Sequence, residues 1–199
     1  MTMRSPSPAP STSCRDVLLD AAHSQLLIVD VQERLTPAVV DSAATVDNIV
    51  RLAVAAKSLG IPVAVTEHYP AGIGATDASV RASLGPDARV FEKITFSAAR
   101  DLAIVAHVDR HAASRSQIVV CGLESHVCVM QSAIEFATDG RQVFVVADAT
   151  SSRSMKSVEI AIERLRAHGI SIVTTEMVLF EWLARGGTAE FRALFPLIR

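Results

Sequence analysis

Residues Val119–Gln131 read VVCGLESHVCVMQ, and this segment combines a buried strand, a glycine break and the start of a helix. Apolar residues come first, Gly122 interrupts them, and a helical pattern begins within a few residues. Cys128 is therefore predicted near the first turn of that helix, where unpaired backbone N–H groups and the helix dipole lower the pKa of a thiol. The segment indicates a nucleophilic cysteine, although a small buried hydrophobic residue is an alternative interpretation of any free cysteine.

On both sides of this segment, short apolar runs alternate with amphipathic stretches. The apolar runs predict strands, and apolar residues spaced three or four positions apart predict the helices between them. The predicted strands are 25–30, 63–66, 89–93, 116–121, 142–147 and 170–173. The predicted helices span about 46–57, 99–111, 128–140, 154–168, 176–184 and 188–194.

Strict alternation of strands and helices predicts an α/β fold. Such a chain forms a parallel sheet with right-handed crossovers, covered by helices on both faces. We therefore expect a three-layer, doubly wound sheet of about six strands in the order 3-2-1-4-5-6.

The predicted strand order brings two distant residues to one crevice. Asp30 ends the first strand and Cys128 follows the fourth, and these strands are neighbours at the switch point where ligands bind in such sheets. The turn after the first strand reads DVQER at 30–34, without the glycines that a dinucleotide pyrophosphate needs. We expect catalysis at this crevice without a cofactor.

Composition limits the partners that the chain can have. Half of its 199 residues are hydrophobic, its net charge is −2, and no block of lysine and arginine is present. These values predict one domain that binds neither nucleic acid nor a membrane. The surplus apolar surface favours a homo-oligomer, a dimer or a tetramer.

The N-terminal residues and the cysteines give two further expectations. Residues 1–16 are rich in serine and proline and predict a flexible tail, followed by a domain over 17–199; the tail lacks the apolar core of a signal peptide. The three cysteines, at positions 14, 121 and 128, form no disulfide framework and no metal-type spacing. A reducing, cytoplasmic location is therefore expected.

Residues 67–86 form a long segment without clear periodicity until a brief helical stretch. Long loops in compact domains are usually functional, so this one is a candidate wall of the binding site.

Three blocks of sequence resemble one family. They are LIVDVQ at 27–32, Glu92-Lys93 with the following Phe96-Ser97, and GLESHVCV at 122–129. On these blocks the chain resembles the isochorismatase-like cysteine hydrolase superfamily from about residue 17 to residue 199. It is most similar to the isochorismatase domain-containing branch, which it also resembles at 66–70, 147–153 and 178–181.

The resemblance implies a catalytic triad of Asp30, Lys93 and Cys128. Asp30 would act as general base toward the thiol and later as acid toward the leaving group. Lys93 would orient the carboxylate and balance its charge, a role that its spacing in the sequence does not indicate.

The resemblance also implies an oxyanion hole made of backbone N–H groups. The residues concerned are Leu123, Glu124, Val127 and Cys128, with a non-proline cis peptide bond between Leu123 and Glu124.

Several side chains are candidates for substrate contact. Nicotinamidases, which belong to the superfamily that this chain resembles, have a metal site made of one aspartate and two histidines after the second strand. This chain has no second histidine near His68, so no metal site is expected. The candidate substrate-binding residues are Glu67, His68, Tyr69, Phe96 and His126.

Polar residues on the turns after the fourth and fifth strands have a structural interpretation. Glu124 and Ser125 suit capping of the helix that carries Cys128, and contact with the substrate is an equally good interpretation of Glu124. Asp148, Ser151 and Ser152 suit capping of the helix after the fifth strand.

Three functions are compatible with these residues. The first is a cofactor-free hydrolase that cleaves a C–N bond of a small amide through a Cys128 thioester. The second is vinyl-ether hydrolysis, as in isochorismatase itself, in which Asp30 protonates the substrate and Cys128 is not needed. The third is a non-catalytic, oligomeric or redox-responsive protein whose Cys128 is oxidised reversibly.

Overall fold

The computed structural model describes residues 18–198, so the predicted tail at 1–16 and Cys14 lie outside the described residues. Six strands pair in parallel in the order β3-β2-β1-β4-β5-β6, which confirms the predicted sheet. The strands are β1 (Ser24–Val29), β2 (Val63–His68), β3 (Arg89–Lys93), β4 (Gln117–Leu123), β5 (Gln142–Ser151) and β6 (Ser171–Val173).

Helices cover both faces of the sheet. They are α1 (Ser42–Ser58), α2 (Pro70–Ile73), α3 (Ala78–Ser83), α4 (Leu102–Ala112), α5 (Met130–Thr138), α6 (Met155–Ala167), α7 (Thr175–Leu183) and α8 (Ala189–Leu194). Side chains of β1 alternate between two apolar clusters: Leu26 and Ile28 pack with α1, α7 and α8, whereas Leu27 and Val29 pack with α4, α5 and α6. The continuous apolar run of β1 thus reflects burial on both faces.

β5 is longer than predicted because its pairing with β4 is irregular. Val120 pairs with Val145, but Gly122, two residues later, pairs with Thr150. The extra residues of β5 bulge out of the ladder, and a bulge breaks the regular pattern from which a strand is recognised. The polar end of β5 therefore belongs to the sheet.

Gly122 pairs with Val29 of β1, and the backbone of β1 leaves no room for a side chain at this position. Its φ is +121°, and an added Cβ would lie 2.1 Å from the carbonyl oxygen of Val29. Because that contact is with backbone, it cannot be relieved by a side-chain rotation. Only glycine fits at the bend that leads from β4 to Cys128.

We expect Gly122→Ala to lower the free energy of unfolding by about 3 kcal/mol or more, because it adds a backbone clash to an unfavourable φ. Gly140→Ala is the matched control, since Gly140 also has a positive φ of +85° but no heavy atom within 4 Å of an added Cβ. Its cost should be about 1 kcal/mol. Urea denaturation measures both, and equal losses would show that the close approach to Val29 is unimportant.

Candidate active site

Asp30 and Lys93, two residues of the predicted triad, form a buried ion pair. Asp30 directly follows β1 and Lys93 ends β3, with β2 between these strands. Lys93 Nζ lies 2.7 Å from Asp30 Oδ2, and the two side chains are 0% and 1% exposed. From β2, the Thr66 hydroxyl donates to Asp30 Oδ1 at 2.6 Å. Both carboxylate oxygens are thus held in place, and Thr66 is a site residue that the sequence analysis missed.

All three N–H donors of the Lys93 ammonium group form hydrogen bonds within the protein. In addition to Asp30, it donates to the carbonyl oxygens of Thr95 and Phe96, both at 3.1 Å. An ammonium group has three donors, so all are engaged. Lys93 fixes the Asp30 carboxylate and is not available to bind a substrate.

Cys128 lies beside this pair, on a π-helical turn over Ser125–Val129 that joins β4 to α5. Its carbonyl oxygen accepts from Ser132 Oγ at 2.7 Å, and the side chain is almost fully buried. Since the Asp30 carboxylate acts on the thiol and pairs with Lys93, the three residues of the predicted triad come together at one point.

The predicted lowering of the Cys128 pKa is wrong. Burial raises the pKa of the thiol, and the negative charge of Asp30 raises it further, against a smaller lowering by Lys93. The turn around Cys128 is π-helical and α5 begins only at Met130, so the helix dipole acts weakly compared with these effects. The resting group is a neutral thiol beside the Asp30 carboxylate.

The backbone before Cys128 has the implied cis peptide bond, but one of the four N–H groups of the implied oxyanion hole is already engaged. The peptide bond between Leu123 and Glu124 is cis. The N–H of Val127, however, donates to the carbonyl oxygen of Glu124 at 3.1 Å. Val127 is therefore removed from the predicted oxyanion hole, and the N–H groups of Leu123, Glu124 and Cys128 remain candidates.

Polar residues of β5 anchor the turn that carries the nucleophile. Ser125 Oγ lies 3.2 Å from Thr150 Oγ1, which donates to the carbonyl oxygen of Gly122 at 2.7 Å. His126 Nδ1 lies 2.9 Å from Ser152 Oγ. His126 thus has one ring nitrogen engaged with the protein, and its other ring nitrogen is the group that can meet a substrate.

The capping roles predicted for these turns are wrong. Ser154, not an earlier residue, caps α6 by accepting from the N–H of Ser157. Asp148 accepts from the N–H and hydroxyl of Thr175 at the start of α7. Side-chain capping by Glu124 is also not found at the turn it precedes. β5 extends to Ser151, so Asp148 and Ser151 lie within the strand and Ser154 is the residue that directly precedes α6.

Glu67 holds the long loop instead of facing a substrate. Its Oε1 accepts from the N–H and hydroxyl of Thr76, at 2.8 and 2.6 Å, and from Arg81 Nη2 at 2.9 Å. The carboxylate is buried, and α3 carries Arg81. The prediction that Glu67 binds substrate is therefore replaced by a role in positioning the loop.

His68 and Phe96 form a wall next to the ion pair. Their rings stack with centroids 5.2 Å apart, and Phe96 is half exposed. Burial lowers the pKa of His68, as does the charge of Lys93, against smaller opposite effects of Asp30 and the Thr95 backbone. Within residues 18–198, His68 Nδ1 is the one buried side-chain nitrogen or oxygen without a hydrogen-bond partner. The histidine is neutral and has an unused polar atom.

Tyr69 and Gln32 pack against the first residues of the long loop that follows β2. The ring of Tyr69 lies against Gly72, where an added Cβ would be 2.2 Å from Tyr69 Cε1, and about half of Tyr69 is exposed. Buried Gln32, which the sequence analysis missed, accepts from the N–H of His68 at 2.7 Å and donates to the Gly74 carbonyl at 2.6 Å. Gln32 is the last residue of the LIVDVQ block, and this position in a family motif could have identified it as a site residue.

Two other predictions concern metals and membranes. Among the described residues, no three His, Cys, Asp or Glu side chains come together in a way that could hold a metal ion. None of the helices in 18–198 is long and apolar enough to cross a bilayer.

Comparison with known proteins gives consistent similarities. The isochorismatase domain matches residues 24–177. The secreted isochorismatase effector Isc1 of Phytophthora sojae is 33% identical over 184 residues, which cover 89% of this chain and 85% of that protein. Isochorismatase domain-containing protein 1 of Danio rerio is 37% identical over 185 residues, covering 91% of this chain and 62% of that longer protein. A solved structure described as the MAR1 ribonuclease of Caenorhabditis elegans has a TM-score of 0.85 at 27% identity, and covers 91% of this chain and 92% of that one.

Proposed function

Because the chain belongs to the isochorismatase family, which is a family of hydrolases, we propose that it cleaves the C–N bond of a small amide through a thioester on Cys128. The observation that supports this proposal most is the contact of one buried carboxylate, Asp30, with both the Cys128 thiol and the Lys93 ammonium. A general base in contact with a nucleophile and fixed by a third group is the arrangement that covalent catalysis needs.

The reaction proceeds in two steps. The Cys128 sulfur attacks the substrate carbonyl while its proton passes to Asp30, and the oxyanion accepts hydrogen bonds from backbone N–H groups of the turn. Asp30 then protonates the leaving nitrogen as the C–N bond breaks, which leaves a thioester. A water molecule, deprotonated by Asp30, attacks the thioester, and the carboxylic acid leaves as the thiol is restored. Lys93 keeps Asp30 oriented throughout.

The experiment that tests this function is a screen of small amides for ammonia or amine release, with mass spectrometry of acid-quenched reactions. We expect an acyl adduct on Cys128 and a loss of at least about 10³-fold in turnover for Cys128→Ala. Full activity of Cys128→Ala on a vinyl ether would select the second function. Reaction of Cys128 with peroxide, but with no amide, would favour the redox-responsive protein.

We also propose that the substrate is a small molecule and not a nucleic acid. Two arginines that contact residues of the site are in ion pairs, Arg81 with Glu67 and Arg153 with Glu124. Paired guanidinium groups are poor phosphate ligands compared with free ones. A gel-shift assay with single-stranded RNA should show no complex at physiological salt.

A homo-oligomer, a dimer or a tetramer, remains part of the proposal. Large apolar side chains are exposed on and after the edge strand β3, among them Ile94 at 73% and Leu102 at 85%. Sedimentation should give the mass of an oligomer, and Ile94→Glu with Leu102→Glu should reduce it. Met155→Glu is the control, since Met155 is exposed on α6; equal effects of the two changes would contradict an interface beside β3.

We propose a cytoplasmic location because Cys121 and Cys128 are both free thiols. Fractionation of cells that produce the full chain tests the location.

A further inference from the structure

We propose that the Cys128 site takes an uncharged carbonyl compound and rejects substrates that carry a carboxylate next to the reacting carbon. This inference rests on the proposed role of Cys128 as nucleophile. It adds the charge of the substrate, which neither the family nor the triad determines.

The fixed charges around the thiol are the first argument. Three charged side chains act on the Cys128 sulfur: the carboxylates of Asp30 and Glu124 and the ammonium of Lys93. Each carboxylate has one cation as partner, Lys93 for Asp30 and Arg153 for Glu124, so no uncompensated positive charge is left to attract an anion to the sulfur. An uncharged molecule needs no such charge.

The second argument is that the cations near the site are already paired. All three protons of Lys93 are donated, to Asp30 and to two carbonyl oxygens. Arg153 Nε lies 2.7 Å from Glu124 Oε1, where the Glu124 side chain is 12% exposed and Arg153 is 65% exposed. A substrate carboxylate would have to share a cation whose charge is already balanced by Asp30 or Glu124, and it would bring a second negative charge to that pair.

The third argument is the polar group that is still available. His68 Nδ1 is buried without a hydrogen-bond partner, and the ring stacks on Phe96 beside Lys93. A neutral imidazole offers a hydrogen bond but no charge, which suits an amide or another neutral polar group.

Two alkylating agents of nearly equal size test the proposal. Iodoacetamide is neutral and iodoacetate carries one negative charge, and both form an S–C bond to the Cys128 thiolate with loss of iodide. Because both react with the same thiolate, the ratio of their rates does not depend on how much of the thiol is ionised. Tandem mass spectrometry is needed to read the site, since Cys121 and Cys128 share the tryptic peptide at 116–141.

We expect the ratio of the iodoacetamide rate to the iodoacetate rate at Cys128 to exceed the ratio for 2-mercaptoethanol by about tenfold, because the Asp30 and Glu124 carboxylates act on the sulfur and no uncompensated cation is present to hold the carboxylate of iodoacetate. Glu124→Gln removes a negative charge and leaves Arg153 unpaired, so it should reduce this preference. Arg153→Gln should increase it. The two variants change the same ion pair in opposite directions and serve as controls for each other.

A ratio equal to that of 2-mercaptoethanol, or faster reaction with iodoacetate, would overturn the proposal. In that case the hydrolase function would stand and only the substrate charge would be wrong. If neither reagent modifies Cys128 while 2-mercaptoethanol reacts normally, the nucleophile assignment and this inference both fail.

Discussion

Asp30→Asn is expected to make Cys128 react about tenfold faster with iodoacetamide at pH 7 and to make amide hydrolysis about 10²–10⁴-fold slower. The two effects have one cause. The carboxylate of Asp30 raises the pKa of the Cys128 thiol by its negative charge and by its hydrogen bond. Asparagine removes the charge, so more thiolate is present below the pKa of the thiol, but asparagine cannot accept the proton during hydrolysis.

The pH dependence of alkylation separates this explanation from a general change in structure. In the wild type, the alkylation rate of Cys128 should still rise with pH above the range of an ordinary thiol, because burial raises its pKa. In Asp30→Asn the rise should occur at lower pH, and the advantage of the variant should disappear at high pH. Thermal unfolding checks that the variant is folded. A parallel decrease of alkylation and hydrolysis would show that Asp30 acts only through the fold.

Lys93→Met is expected to lower the free energy of unfolding by about 3–5 kcal/mol, because it leaves the Asp30 carboxylate buried without its counter-ion. The pair lies 2.7 Å apart with both side chains inaccessible to solvent, so water cannot replace the lost ammonium. The methionine fills a similar volume, so little of the loss should come from a cavity. Urea denaturation gives the free energy.

Two controls identify the buried charge as the cause. Lys93→Met combined with Asp30→Asn should recover most of the lost stability, since no unpaired charge remains. Lys156→Met should change stability by about 0.5 kcal/mol or less, because Lys156 is 77% exposed and its ion pair with Glu159 spans 3.7 Å. If the double variant is as unstable as Lys93→Met alone, the loss comes from packing.

Family resemblance was needed where sequence spacing carried no signal. Lys93 lies at the end of an edge strand and has the residue type of an ordinary surface lysine. Its side chain passes the end of β2 to reach Asp30, a path that depends on three strands ending together. Thr66 was missed, and Ser152 was predicted as a helix cap instead of a partner of His126, for a related reason: a hydroxyl group does not reveal in the sequence which distant residue it contacts.

The sequence by itself determined the sheet. Alternating apolar runs and amphipathic helices permit few parallel arrangements, so the strand order and the meeting of Asp30 with Cys128 could be predicted. These features depend on hydrophobic periodicity and on the order of strands and helices along the chain, and both can be read directly from the sequence.

Only the tertiary structure decided the chemistry of the site. It reversed the expected shift of the Cys128 pKa, assigned Glu67 to the loop and left His68 Nδ1 without a partner. Desolvation and charge interactions depend on distances between atoms whose residues are far apart in the chain. Those distances are properties of the packed molecule and have no counterpart in the order of the residues.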